Sequence, residues 1–212
     1  MTNRIPSYLE YLKTVAITTA GSGYTSPVTL LIDAPTGDSP IQATATATID
    51  FAGSGDITAI TVTEGGDGYV LTPSVKVSGP ATSVTSTTTS TGLDAGTYTA
   101  VEPTSTSGVG QFGTFTIVIN GDGDVTSITP VAGGSNYVQG DTISFLSTAL
   151  GGTGSESTVV GSITHISGGQ GGTLTAEIDI IAKADVYAVS YTHLRAHETR
   201  EDLVCRLVLE KK

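Results

Sequence analysis

A glycine-rich motif that ends in tyrosine recurs along the chain and limits the folds that the sequence can adopt. It reads Gly-x-Gly-Tyr at Tyr24 and Tyr69 and Gly-x-Asn-Tyr at Tyr137. The segments 51–69 and 119–137, which lead to the last two tyrosines, align without a gap. Self-similarity at this scale indicates a repeat architecture, because each copy encodes the same local structure.

Two further copies of the repeat are less complete. Segment 15–24 keeps only the second half of the pattern, which ends at Tyr24. Segment 163–172 keeps the glycines but has Gly172 where the tyrosine is expected. The repeat therefore extends from near the start of the chain to beyond residue 160, with one copy that has lost its aromatic residue.

The residues before each tyrosine predict two strands joined by a tight turn. In the first strand, 43–49 or 115–119, small or apolar residues alternate with threonine. Such period-two alternation is typical of a strand with one buried face. The four residues 53–56, or 121–124 in the other copy, are rich in Gly and Asp and are expected to close a hairpin.

The second strand is expected to bury Ile60 and Val62 in one copy and Ile128 with Pro130 in the other. Because proline has no N–H to donate to a ladder, that strand should end at Pro130 or lie at a sheet edge. A short third strand is expected after each tyrosine, at 28–32, 75–77 and 143–145.

The residue before each tyrosine is predicted to hold a positive φ. These residues are Gly23, Gly68 and Asn136, and glycine and asparagine tolerate that conformation best. Such a turn would re-aim the chain and place the ring of Tyr24, Tyr69 or Tyr137 over the core of its unit. The alternative is a row of tyrosines that stack on a sugar ligand.

These patterns predict an all-β fold with little native helix, because threonine suits strands and glycine supplies the turns between them. The tandem three-stranded repeat units are expected to form small β-sandwiches or a β-solenoid. The expected organisation is an N-terminal segment 1–13, a first β-repeat region 14–81, a Thr/Ser/Gly-rich linker or loop 82–111, a second β-repeat region 112–187 and a non-native tail 188–212.

Composition excludes several classes of function. The formal net charge is −11, with 20 acidic residues against 9 lysines and arginines, which argues against binding to nucleic acid. The sequence contains no apolar run of the roughly 18 residues that a membrane-spanning helix needs. Residues 1–13 do not show the basic-then-apolar layout of a signal peptide. Neither membrane insertion nor a secretion signal is therefore expected.

The last 24 residues, 189–212, resemble a translated DNA sequencing adapter. The run Val189-Ser-Tyr-Thr-His-Leu-Arg-Ala-His-Glu-Thr199 matches one reading frame of a transposon end used in library preparation, and 203–212 resembles the flow-cell primer. We therefore expect the native C-terminus to be missing and this segment to be no part of the native fold. Resequencing the source locus should give a different sequence after Tyr187 or Ala188.

This tail also holds most of the residues that could suggest a metal site. His193, His197 and Cys205 lie near acidic groups and would suggest zinc to a reader who took the segment as native. Once the tail is excluded, His165 is the one remaining histidine and cysteine is absent. Neither a disulfide framework nor a thiolate metal site is then available.

Other candidate sites have simpler structural explanations. Asp122 and Asp124 could suggest calcium, but the equivalent turn has Ser54 in place of the first aspartate, and a hairpin turn is favoured. The glycine runs 65–68 and 168–172 lack the Lys-Ser/Thr of a phosphate-binding loop and are expected to be turns. His165 has no partner spacing for a catalytic triad. We therefore expect no catalytic, cofactor-binding or metal-binding residues, no cofactor and no enzymatic activity.

The repeats resemble those of structural proteins in tailed-phage virions. The likeness is carried by Ile57-Thr-Ala-Ile-Thr-Val-Thr-Glu-Gly-Gly-Asp-Gly-Tyr69 and by the segments 96–99, 112–129 and 133–143, and it spans about 15–180. It implies a non-enzymatic component of the tail, baseplate or fibre that acts in the virion. It supplies no catalytic residues.

The resemblance also implies partners, namely further copies of the chain in a homo-oligomer, other virion proteins and, at a host surface, a glycan. Similar repeats occur in bacterial surface proteins. The alternatives are therefore an extracellular adhesion or carbohydrate-binding module at the cell surface, or the stalk of an enzyme whose catalytic domain is missing.

Overall fold

The computed structural model describes residues 8–88, 91–154 and 158–182, and this part of the chain is all-β. The expected adapter-derived tail lies outside these residues. They contain no α-helix and a single 3-10 turn at Ser147–Leu150. The strands are β1 (Tyr8–Ser22), β2 (Thr29–Ile32), β3 (Thr44–Ile49), β4 (Ile57–Glu64), β5 (Val75–Gly79), β6 (Ala81–Ser86), β7 (Gly96–Val101), β8 (Ser105–Thr106), β9 (Thr114–Ile119), β10 (Val125–Ala132), β11 (Tyr137–Val138), β12 (Thr142–Phe145), β13 (Val159–Ile166) and β14 (Gln170–Ala182).

The strands pair antiparallel in five small sheets. These have the orders β1-β14, β3-β4, β10-β9-β7, β11-β5-β2 and β6-β13-β12-β8. The longest pairing joins the two ends of the described chain, from Tyr8 opposite Ala182 to Ser22 opposite Gln170. None of the described residues forms a helix that is long and apolar enough to cross a membrane.

The predicted hairpins are present as β3–β4 and β9–β10, and each turn is organised by the residue that directly follows its first strand. Asp50 Oδ1 accepts hydrogen bonds from the backbone N–H groups of Ala52 and Gly53, at 3.2 and 3.1 Å. In the other turn, Asn120 Oδ1 accepts from Asp122 and Asp124, at 3.0 and 2.8 Å. An Asp or Asn side chain thus takes the first turn position, where it can satisfy the backbone locally.

The second strands differ in part from expectation. In β4 the buried side chain is Ile57, whereas Ile60 and Val62 are half-buried. In β10 Ile128 is buried as expected, and the strand continues through Pro130, which lies opposite Phe115. The edge position expected for Pro130 is confirmed, because β10 is the edge strand of its sheet and proline there costs no hydrogen bond to a second neighbour.

The predicted third strands are present as β2, β5 and β12. Two of them, β2 and β5, pair with each other, and β11 of the second repeat region joins the other side of β5. The two repeat regions therefore share a sheet. A repeat unit that pairs with its neighbours buries more backbone polar groups than one that stands alone.

The segment 82–111, expected to be a linker or loop, instead contains strands. It holds most of β6 together with β7 and β8. Strand β6 pairs with β13, and β7 pairs with β9. The low-complexity Thr/Ser composition suggested a loop, but threonine is also a strand former, and pairing with these distant strands determines its conformation.

The core consists of two neighbouring clusters of buried side chains. The larger one centres on Phe115, whose ring makes edge-to-face contacts with Tyr137 and Phe145, at centroid distances of 6.4 and 5.6 Å. The smaller one contains Tyr69 together with Leu12 and other small or branched apolar residues. Edge-to-face aromatic pairs stabilise a core by about 0.5–1.5 kcal/mol beyond area burial.

Candidate functional site

The three tyrosine motifs form turns with the predicted positive φ. Gly23, Gly68 and Asn136 have φ values of 76°, 82° and 60°. The first glycine of each motif, which was not singled out from the sequence, is also left-handed: Gly21, Gly66 and Gly134 have φ values of 68°, 69° and 66°. We call these turns, with their rings, the Tyr24 corner (21–24), the Tyr69 corner (66–69) and the Tyr137 corner (134–137).

The hydroxyl of each tyrosine accepts a hydrogen bond from a backbone N–H on an adjacent strand or strand entry. Ala43 N donates to Tyr69 Oη at 2.9 Å, and Gly172 N donates to Tyr24 Oη at 3.2 Å. The N–H of Gly113 donates to the hydroxyl of Tyr137 in the same way. The ring thus fills the core while its polar end satisfies a backbone donor.

The first glycine of each corner approaches another backbone too closely for a side chain. A Cβ at Gly21 would lie 2.6 Å from the carbonyl oxygen of Gln170, and one at Gly134 would meet that of Gln111. A Cβ at Gly66 would collide with the carbonyl oxygen of Ile41. Glycine is therefore required at this position by contact as well as by φ.

These corners are structural, and the alternative of a sugar-stacking row of tyrosines is wrong. Tyr24, Tyr69 and Tyr137 are 2%, 1% and 1% exposed, so no ring face is available to a ligand. Burial raises the pKa of Tyr24, against a smaller lowering by the N–H of Gly172. Burial likewise raises the pKa of Tyr137, with an opposing contribution from the N–H of Gly113 and a smaller rise from Asp141.

The turn that contains Asp122 and Asp124 is held by hydrogen bonds between its own backbone groups and Asn120. Both N–H groups bind Asn120 Oδ1, and Asn120 N donates to the carbonyl oxygen of Asp124 at 2.9 Å. Asp122 is exposed and Asp124 half-buried. Within the described ranges, no three His, Cys, Asp or Glu side chains come together as a metal-binding group.

The remaining sequence candidates are two glycine-rich turns and one histidine. The glycines at 65–68 lie in the Tyr69 corner and directly before it, and 168–172 covers the β13–β14 connection and the start of β14. His165 is half-buried on β13, and its Nδ1 lies 3.2 Å from Thr164 Oγ1. The fold does not bring these positions into one site.

The described surface is poor in cations. Lys13 and Lys76 are the only lysines or arginines in the described ranges. Lys13 Nζ lies 3.5 Å from Glu177 Oε1 and 3.8 Å from Asp179 Oδ2, and these two carboxylates, Glu177 first, raise the pKa of Lys13. Exposed ion pairs of this kind contribute little stability.

One cleft with exposed side chains lies beside the Tyr137 corner. It has a volume of about 280 Å³, and its lining includes Glu102, Thr104, Gln111 and Phe112, with Tyr137 also contributing. Phe112 is 80% exposed. No pattern in the sequence marks Phe112 as a candidate, because its exposure and positive φ do not follow from its residue type.

Comparisons with known proteins add no relative. No protein-family model, no curated protein and no solved structure matches this chain.

Proposed function

We propose that the chain is a non-enzymatic structural component of a phage virion, in the tail, baseplate or fibre. The observation that carries the proposal is the shared geometry of the Tyr24, Tyr69 and Tyr137 corners. Each has two left-handed residues, a buried ring and a hydroxyl bonded to a backbone N–H. This is the part of the sequence that resembles phage structural repeats.

The shared geometry supports an architecture of tandem three-stranded units. In the Tyr69 and Tyr137 corners the bonded N–H, at Ala43 or Gly113, directly precedes the first strand of the same copy. In the Tyr24 corner it belongs to β14, at the opposite end of the described chain. Under this proposal β14 completes the first unit, and its pairing with β1 supports joined ends of the repeat array.

The open sheets support assembly with other chains. Each of the five sheets has two edge strands, and some of these are as short as β8 and β11. Unpaired edge N–H and C=O groups are a template for pairing with a further strand. Homo-oligomers or contacts with other virion proteins would use such edges, as a structural component requires.

The proposal is tested by locating the protein. An antibody raised against the whole chain should label purified phage particles from the source sample by immunogold electron microscopy, at one defined part of the tail. Genes for sheath, baseplate or fibre proteins beside the source locus are the matching genomic result. If the antibody labels bacterial cell surfaces and leaves the phage particles unlabelled, the proposal is contradicted and an adhesion module is favoured.

A further inference from the structure

Phe112 has a backbone conformation that its side chain disfavours and that burial does not compensate. Its φ is 60°, in the left-handed region, which bulky residues rarely adopt. A buried aromatic ring could offset the strain, but this ring is 80% exposed. Strained residues of this kind are concentrated at sites that bind or act.

The equivalent positions in the other two corners show what packing alone would select. The first glycine of each corner packs against a three-residue backbone segment, close to the carbonyl oxygen of its first residue and the N–H of its third. The middle residue of that segment is Gly171 at the Tyr24 corner, Gln42 at the Tyr69 corner and Phe112 at the Tyr137 corner. Gly171 is left-handed, with a φ of 80°, and glycine adopts this conformation without strain. Gln42 instead places its side-chain amide 3.2 Å from Tyr69 Oη. Phe112 alone of the three combines a left-handed backbone with an exposed aromatic side chain.

A second left-handed residue lies just before the segment 102–106, which also lines the cleft. Ala100, two residues before Glu102, has φ 54° and lies where the register of β7 on β9 shifts between Tyr98 and Val101. A bulge of this kind redirects the residues that follow it. The cleft is thus lined by Phe112, which is left-handed, and by residues that follow the bulge at Ala100.

The lining of the cleft indicates the chemistry of its occupant. Glu102, Gln111 and Thr104 are exposed and offer a carboxylate, an amide and a hydroxyl in the same cleft as the Phe112 ring. One apolar face with a few polar groups around it is the composition of a small-molecule site. An aromatic face packs on the C–H face of a pyranose, while carboxylate and amide groups bond its hydroxyls.

The charge of the lining residues further limits the class of ligand that the cleft can bind. No lysine or arginine lies among the residues that line the cleft, and Glu102 adds a negative charge. An anionic sugar, such as a sulfated or sialylated one, would meet an unfavourable field there. The volume of about 280 Å³ suits one or two sugar rings rather than a folded partner.

We propose that the cleft beside Phe112 binds a neutral saccharide, with the Phe112 ring as its stacking platform. This inference rests on the proposed virion function only for the origin of the ligand, which would be a host surface glycan. The site itself depends on the local geometry alone.

The test is saturation-transfer difference NMR on the whole chain, with the methyl glycosides of glucose, galactose, mannose and N-acetylglucosamine as probes. At least one probe should give a signal on its ring protons with the parent protein. Phe112→Gly should abolish that signal and leave the chain folded, because glycine accepts positive φ and the exposed ring contributes little burial. Phe51→Ala, which removes a second exposed aromatic ring, is the matched control and should keep the signal.

Four outcomes would overturn the saccharide site. These are a folded parent with no signal from any probe, a Phe112→Gly variant that keeps the signal, equal loss in Phe51→Ala, and a parent dimer that Phe112→Gly converts to monomer, which would make the cleft a self-contact. Immunogold labelling does not depend on Phe112. Labelled particles without saccharide signal would therefore refute the cleft alone, and saccharide binding without labelled particles would refute the virion proposal alone.

Discussion

The Tyr24 and Tyr69 corners have the same turn and the same buried ring, yet the chain completes them in different ways. Tyr69 bonds Ala43, which lies 26 residues away in the same copy of the repeat. Tyr24 bonds Gly172, which lies 148 residues away in β14. The motif therefore specifies the turn and the burial of the ring, whereas the rest of the fold determines which strand receives the hydroxyl.

The difference has a consequence for stability. The hydroxyl bond of Tyr69 closes a loop of 26 residues, and a shorter loop costs less entropy to close. The ring of Tyr69 also packs in one cluster with Leu12 of β1 and Ala176 of β14, so both corners contact the paired ends of the described chain. Loss of the Tyr24 ring should therefore act on β14 near Gly172, and loss of the Tyr69 ring should act on it near Ala176.

Tyr24→Ala and Tyr69→Ala are expected to have the largest effects. Each removes a fully buried ring, and each should lower the free energy of unfolding by about 3–5 kcal/mol, as measured by denaturant titration. Hydrogen exchange separates the two variants. Tyr24→Ala should speed exchange most at the β14 amides near Gly172, and Tyr69→Ala most at those near Ala176. The same pattern of acceleration along β14 in both variants would contradict the distinction between the corners.

Two glycines of the Tyr69 corner should differ in their response to a methyl group. At Gly66 a Cβ would collide with the carbonyl of Ile41 and lie 2.8 Å from Ala43 N, in addition to the positive φ. Gly66→Ala should therefore cost about 2–4 kcal/mol, as strain and overpacking add. At Gly68 the nearest atom would lie at 3.4 Å, so Gly68→Ala should cost only about 1 kcal/mol, through its φ. Equal losses in thermal melts would show that contact does not distinguish them.

The Tyr24 hydroxyl should give a smaller effect that depends on pH. Burial raises the pKa of Tyr24 in the folded chain, so above about pH 10 the unfolded chain loses this proton first. Its stabilising contribution is thus complete below that pH and is lost as the pH rises through the folded-state pKa. Tyr24→Phe removes the bond to Gly172, costs about 0.5–1.5 kcal/mol at neutral pH and should flatten the alkaline decline.

Denaturant titrations at neutral pH and above pH 10 provide the measurement. Tyr137→Phe is a useful companion, because burial raises the pKa of Tyr137 as well. A Tyr24→Phe variant whose stability falls as steeply with pH as that of the parent would contradict the assigned cause.

The sequence predicted the local structure of the molecule better than its long-range pairing. The positive φ at Gly68 follows from residue type, and the burial of Tyr69 follows from its fixed place after that turn, so both could be predicted from the sequence. The strand content of 82–111 could not be predicted, because Thr/Ser-rich composition fits a loop and an exposed strand equally well. The hydrogen-bond partner of Tyr24 could not be predicted either, since Gly172 was recognised only as the residue that replaces tyrosine in an incomplete repeat copy.

The same limit applies to the candidate site. Phe112 has an ordinary place in the sequence, ahead of the predicted first strand of its copy. Its interest arises from φ and exposure together, and neither follows from residue type. Indeed, residue type argues against a left-handed phenylalanine. A position where the local rule fails is where a functional constraint is expected, and such a position becomes visible only in the structure.

The smallest expected effect comes from exchanging the residue before the tyrosine between two corners. Asn136 already holds φ 60°, and Gly68 holds φ 82°, so each position accepts the other's residue. Asn136→Gly removes a mild strain but gives the unfolded chain more freedom, and the two contributions nearly cancel. Gly68→Asn reverses both contributions. Each variant should change the free energy of unfolding by no more than about 0.5 kcal/mol in denaturant titrations. A Gly68→Val control should lose about 1–3 kcal/mol, because a β-branched residue is strained at positive φ. If Asn136→Gly were as costly as Gly68→Val, the Asn136 side chain would be making a contact that the Tyr69 corner does without, and the two corners would not be equivalent turns.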